Sequence, residues 1–135
     1  MNILKKTPDS ILWLLSGNDT SDKNLISEAE KKGVDSKRII FSKKIPIEEH
    51  LDRIKLADLF LDTFPYNAHT TGSDAFRVGL PTITLQGNTF ASRVLPSILL
   101  NNNLEELITK DLKSYENLAV NLQSINVVHN HRLIE

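Results

Sequence analysis

The spacing of apolar positions along the chain switches repeatedly between short continuous runs and helical periods. Ile11 to Leu15 (ILWLL) is unbroken and lies between Pro8-Asp9-Ser10 and Ser16-Gly17-Asn18, the pattern of a strand covered on both faces. A helix from about Ser21 or Asp22 to Lys32 follows. Leu25, Ile26 and Ala29 form its stripe, Ser21 or Asp22 its cap, and Gly33 its left-handed stop. Arg38 to Phe41 predicts a second strand. Pro46 then opens a helix whose apolar residues Ile47, Leu51, Ile54 and Ala57 recur at helical spacing, with Glu48 and Glu49 in its first turn. Leu59 to Asp62 reads as a third strand, Thr70 to Val78 as a helix ended by Gly79-Leu80-Pro81, and Thr82 to Leu85 as a fourth strand. A further helix is expected over Phe90 to Leu100, with Pro96 kinking it or marking its first turn. Leu104 to Ile108 gives a short turn, Asp111 caps a last helix reaching about Ile125, and Val127 to Glu135 carries no clear pattern. Connections between the strands are too long for hairpins. The expectation is one Rossmann-like α/β domain over residues 1–135, a parallel sheet with helices on both faces.

Composition narrows the chemistry. The 135 residues contain no cysteine, which removes disulfides, thiolate nucleophiles and Cys-ligated metals. Sixteen basic residues against 17 acidic ones give a net charge of −1, so there is no basic footprint for nucleic acid. No apolar run approaches the roughly 20 residues of a membrane span, and the start, MNILKKTPDS, lacks the apolar core of a signal peptide. A cytoplasmic protein without a membrane or nucleic-acid partner is expected. Glycine fingerprints of dinucleotide sites, phosphate loops and nucleophile elbows are missing. His129 and His131 stand two apart without further ligands, so no metal site is expected.

In an open parallel sheet, ligands bind outside the carboxyl ends of the strands. Three loops there carry usable groups. The first runs from Asp62 into AHTTGSD, placing Thr70, Thr71 and Gly72 at a helix start. Backbone N–H groups and two hydroxyls there suit a diphosphate, Gly72 gives a ligand room near the backbone, and Asp74 can accept from a sugar hydroxyl. The competing reading makes Thr70 a plain N-cap and Asp74 a complement to the helix dipole. In the second loop, Ser42 to Pro46, the following helix carries His50 and Arg53 three apart on one face. They suit a nucleobase, one stacking and the other donating, against a solvated histidine and a Glu49–Arg53 ion pair. The third, Gln86 to Arg93, could meet a second phosphate or a sugar, or be an ordinary connection.

The stretch Arg38 to Val94, with LADLFLDTFPYNAHTTGSDA at its centre, resembles the C-terminal catalytic region of the O-GlcNAc transferase family in its bacterial, TPR-associated form. Leu12 to Leu15 (LWLL), Leu104 to Ile108 (LEELI) and Tyr115 to Ala119 (YENLA) fit too, so the likeness runs from about Pro8 to Leu122. This family, which includes SPINDLY-like members, consists of inverting glycosyltransferases of GT-B architecture. They transfer GlcNAc from UDP-GlcNAc to Ser or Thr of a protein acceptor, with no divalent metal or other cofactor.

By position, the resemblance implies that His50 packs on uracil with Arg53 beside it. His69, Thr70 and Thr71 contact diphosphate and sugar, stabilising the leaving group, and Asp74 meets the ribose. Ile47 stands where animal members carry a lysine said to reach the ribose, and Ser16 replaces an arginine of the LWLL segment. The resemblance further implies that the general base, a diphosphate-steadying lysine, the first strand of the domain and the protein-recognising repeats are not in this chain. The isolated chain is then expected to bind UDP or a UDP-sugar weakly and to transfer nothing. The alternative is a non-catalytic nucleotide-binding or self-associating module. An apolar sheet edge left by the missing strand would favour a homo-oligomer.

Overall fold

A computed structural model of the chain describes residues 1–125 and 132–134. Among these residues, six strands form one parallel sheet in the order β2-β1-β6-β3-β4-β5. They are β1 (Ile11–Leu15), β2 (Ile39–Ser42), β3 (Leu59–Leu61), β4 (Thr82–Leu85), β5 (Ile108–Thr109) and β6 (Arg132–Ile134). Six α-helices connect or flank them: α1 (Asn2–Lys6), α2 (Asp19–Lys31), α3 (Ile47–Ile54), α4 (Thr70–Arg77), α5 (Val94–Leu100) and α6 (Leu112–Ile125).

The period-two alternation of the strands divides the core in two. Leu12 of β1 and Leu59 and Leu61 of β3 pack on one face with Leu4 of α1, Ala29 of α2 and Ala119 of α6. Trp13 and Phe60, one residue out of phase, face the other side with Ile54 of α3, Ala75 of α4 and Leu95 of α5. Helices thus cover both faces, as expected. Strand order runs outward in both directions from β6, which makes the β1/β3 flanks of β6 the switch point of the sheet, where a doubly wound fold binds ligands.

Several boundaries differ from the sequence reading, each for a local reason. Helix α2 starts at Asp19 because Asn18 caps it. The Asn18 side chain accepts from Ser21 N at 2.9 Å and Ser21 Oγ accepts from Asn18 N at 3.2 Å, so Ser21 is the third helical residue and not the cap. The expected Phe90–Leu100 helix divides into a 3-10 turn, Phe90–Ser92, and α5, with Pro96 in the first turn of α5. Gly33 ends α2 at φ +76° and Asp111 caps α6 through Ser114 N, both as read from the sequence.

Strand β1 is half-exposed rather than covered on both faces, because its carboxyl end opens onto a cavity. Helix α1 and the two short strands β5 and β6 were not expected from the sequence pattern. The first is five residues long and is held from outside, by burial of Leu4 and by the Arg38 guanidinium, which donates to Leu4 O, Thr7 O and Ser10 O at 2.6–2.9 Å. Strand β6 lies between β1 and β3, pairing with β1 (Leu12↔Leu133) and with β3 (Leu59↔Leu133).

Candidate functional site

At the switch point lies a cavity of about 780 Å³. Its wall combines the carboxyl end of β1 (Trp13, Leu14, Leu15), Ser42 at the end of β2, and the segment from Lys44 through the first turns of α3. Thr63, Ala68 and the first turn of α4 close the other side. Five of the residues singled out in the sequence line it together: His50, Arg53, Thr70, Thr71 and Asp74.

Helix α4 begins at Thr70, with His69 in the N-cap position and no side chain capping it. Its first i→i+4 bond runs from Ser73 N to His69 O, leaving the N–H groups of Thr70, Thr71 and Gly72 without intrahelical partners. Thr70 and Thr71 are exposed and Asp74, one turn later, is half-buried. The positive end of the helix dipole and two hydroxyls therefore face the cavity. Thr70 is the first residue of α4 and not its cap, a position His69 takes.

On α3 the Arg53 guanidinium is tied down three ways. It donates to Lys43 O at 2.9 Å, lies 5.5 Å from the centroid of the Trp13 ring, and meets His50 Nδ1 at 3.3 Å. A guanidinium has donors only, so Nδ1 is the acceptor in that contact. The i,i+4 pair between Glu49 and Arg53 is not formed; the ion pairs found among the described residues are Lys6–Glu116, Lys32–Glu28 and Lys55–Asp52.

Two expected participants lie elsewhere. His69 is exposed and outside the cavity wall. Gly72 is buried, and the direction its Cβ would take points at Leu95 Cδ1, 2.9 Å away. Its lack of a side chain serves the approach of α4 to α5, not that of a ligand. The Gln86–Arg93 loop does not line the cavity either. It braces the first loop instead: Asn67 N donates to Ala91 O at 2.9 Å, and a Cβ on Gly87 would sit 3.0 Å from Phe64. Conversely, Trp13, Lys44 and Thr63 line the cavity without being among the expected contact residues, although Lys44 lies in the second loop and Thr63 in the first. An aromatic near the carboxyl end of a strand was a signal for Trp13, and a place in a loop after a strand end was the signal for the other two. His129 and His131 lie outside the described residues.

Beneath the first loop, Asp62 is 3% exposed. Its carboxylate accepts from Ala68 N and from Thr84 Oγ1, each at 2.6 Å, and Tyr115 OH donates to its main-chain oxygen at 2.8 Å. Burial raises its pKa above the ordinary carboxylate value, opposed by the hydrogen bonds from Thr84 and Ala68 and by the charge of His69. No helix among the described residues is long and apolar enough to cross a membrane.

The fold is that of a Rossmann-like domain of a GT-B glycosyltransferase, the architecture of a solved structural neighbour. Residues 1–132 match Glycosyl transferase family 41, and the chain belongs to that family. It is 38% identical over 122 residues to a UDP-N-acetylglucosamine–peptide N-acetylglucosaminyltransferase of Caenorhabditis elegans, covering 90% of this chain and 11% of the relative. The probable enzyme of the same description, SEC, from Arabidopsis thaliana is 40% identical over 122 residues, 90% of this chain and 12% of the relative. A mutant O-GlcNAc transferase of Thermobaculum terrenum superposes with a TM-score of 0.85 at 29% identity, over 89% of this chain and 24% of that one. The chain thus spans about an eighth or less of those two curated relatives' length.

Proposed function

We propose that this chain forms the donor side of a protein O-linked glycosyltransferase and binds the UDP portion of UDP-GlcNAc at the switch point of its sheet. The observation that carries the reading is the convergence of Thr70, Thr71, His50, Arg53 and Asp74 on one cavity of about 780 Å³, a volume suited to a small organic ligand. The start of α4 offers amides and hydroxyls to a diphosphate, and Lys44 adds a cation to the same wall. His50 and Arg53 offer a flat ring and fixed donors to a pyrimidine, and Asp74 an acceptor to ribose hydroxyls. The names of the relatives, which specify UDP-N-acetylglucosamine and a peptide, agree with that chemistry.

In the transfer, a Ser or Thr hydroxyl of the acceptor attacks the anomeric carbon as UDP departs. Negative charge gathers on the leaving diphosphate, where preoriented amides and hydroxyls lower the barrier. Thr70 and Thr71 hold that charge, His50 and Arg53 hold the base, and proton removal from the acceptor falls to a group outside this chain.

Titrating UDP into the ¹⁵N-labelled chain tests the reading. Amide resonances of His50, Thr70, Thr71 and Asp74 should move on one saturation curve, and UDP-GlcNAc should compete. Resonances that stay still at millimolar UDP refute it. Transfer of GlcNAc to a Ser/Thr peptide by the isolated chain would overturn the assignment of proton removal to another part.

A further inference from the structure

Asp62 is a carboxylate placed where neither the cavity nor a salt bridge explains it. It is almost fully buried at the carboxyl end of β3, outside the cavity wall. Leaving water costs a carboxylate more than an amide, so an unpaired acid held there has to be offset by what it bonds. One oxygen accepts from Thr84 Oγ1, itself fully buried on β4, and Thr84 O in turn accepts from Thr109 Oγ1 at 2.9 Å, which ties the acid to the β4–β5 side of the sheet. The other oxygen accepts from Ala68 N. Ala68 lines the cavity and stands two residues before Thr70, the first residue of α4. Between these points the chain loops out through Thr63 to Asn67. That excursion is closed on itself by Asn67 Nδ2 donating to Thr63 O at 3.1 Å and anchored outside by Asn67 N on Ala91 O. The Asp62–Ala68 bond is therefore the direct link from the rigid sheet to the segment that aims the first turn of α4.

We infer that Asp62 is the positioning residue of the anion cradle: its carboxylate fixes Ala68, and through it the amides of Thr70, Thr71 and Gly72, at the distance and angle a diphosphate needs. The inference rests on the donor-site reading for its purpose but not for its geometry. Catalytic and binding groups lose effect when displaced by about 1 Å, and the loop has no helix or strand of its own to resist such a displacement. The acid accepts from Ala68 N–H and Thr84 O–H at once. An asparagine can meet the same pair by accepting from Ala68 and donating to the rotatable Thr84 hydroxyl.

The test uses the full 135-residue chain with Asp62→Ala, Asp62→Asn and Asp62→Glu, read first without ligand and then with UDP. Expected for Asp62→Ala are shifted amide resonances at Thr70, Thr71 and Gly72 in the free protein, and UDP affinity lowered roughly tenfold or more, as for a buried N–H left unpaired. Asp62→Asn should restore both to within about threefold of the parent. Asp62→Glu keeps the charge but carries the acceptor one carbon further, and should behave like the alanine variant. Unmoved α4 resonances and parental UDP affinity in Asp62→Ala overturn the inference, as does an asparagine variant as weak as alanine or a glutamate variant as strong as the parent. Should Asp62→Ala not fold, the near-isosteric Thr84→Val removes the donor that orients the carboxylate, and α4 resonances left unmoved by it overturn the inference equally. Failure of the parent chain to bind UDP defeats the donor-site reading alone, because the ligand-free resonances decide the positioning role by themselves.

Discussion

Replacing Gly72 by alanine separates the packing role of this glycine from a ligand-facing one. Two terms oppose each other. In a helix, alanine is favoured over glycine by about 0.5–1 kcal/mol. Against this, a Cβ at position 72 would lie 2.9 Å from Leu95 Cδ1, 3.4 Å from Cδ2 and 3.5 Å from the Ala68 Cβ. Leu95 has no exposed surface and packs in the cluster that holds Phe60, Ile54, Ala75 and Leu80, so its methyl groups have no solvent to swing into. Overpacking of this kind costs about 1–3 kcal/mol, which leaves Gly72→Ala destabilising by roughly 1 kcal/mol.

Leu95→Val removes the offending methyl groups at a cost of its own of about 1 kcal/mol. On that background Gly72→Ala should be neutral or stabilising, giving a coupling near 1 kcal/mol in a double-mutant cycle. Urea unfolding followed by the fluorescence of Trp13, the single tryptophan, measures all four proteins. Equal cost of Gly72→Ala on both backgrounds would refute the claim that Leu95 sets the distance between α4 and α5.

Further outcomes follow from other contacts. Arg38→Lys should lower stability by about 2 kcal/mol, because a single nitrogen cannot stand in for both Nε, which donates to Ser10 O, and Nη2, which donates to Leu4 O and Thr7 O; a thermal midpoint unchanged from the parent would contradict it. The two shifted acids give opposite pH trends. Burial raises the pKa of Asp62, so its contribution is fully present below the unfolded pKa and lost as pH rises through the folded one. The stability of Asp62→Asn relative to the parent should therefore improve as pH rises from the ordinary carboxylate value through the raised one, and a constant difference would disprove it. The Ser114 amide, then its hydroxyl, lower the pKa of the Asp111 carboxyl at the α6 cap. The advantage of the parent over Asp111→Ala should be present at neutral pH and shrink as pH falls through that lowered value, as seen in urea melts across acidic pH.

Much of this architecture was written in local pattern. ILWLL, TITL and the Gly33 and Gly79 stops announce themselves through apolar continuity and a positive φ (+76° and +75°) that a side chain resists. The helix starts at Pro46 and Asp111 are equally local, since a cap or a proline acts within one turn. The site residues His50, Arg53, Thr70, Thr71 and Asp74 could be chosen from their chemistry at predicted strand ends and helix starts, and all five meet at one cavity.

Other features belong to distance in the chain. Helix α1 exists because Arg38, more than 30 residues away in sequence, caps its carbonyls, and a two-residue strand such as β5 has no pattern of its own without β4 beside it. Trp13 and Lys44 join the cavity only because β1 and the loop after β2 end side by side, and Gly72 exchanges its expected place near a ligand for one against α5. Sequence by itself determined the alternation of elements and the kinds of groups at their ends, because caps, turns and apolar periods are short-range. Which of those groups face one another, and that a buried Asp62 ties the sheet to the start of α4, was decided by strand order and packing, where residues tens of positions apart first come within bonding distance.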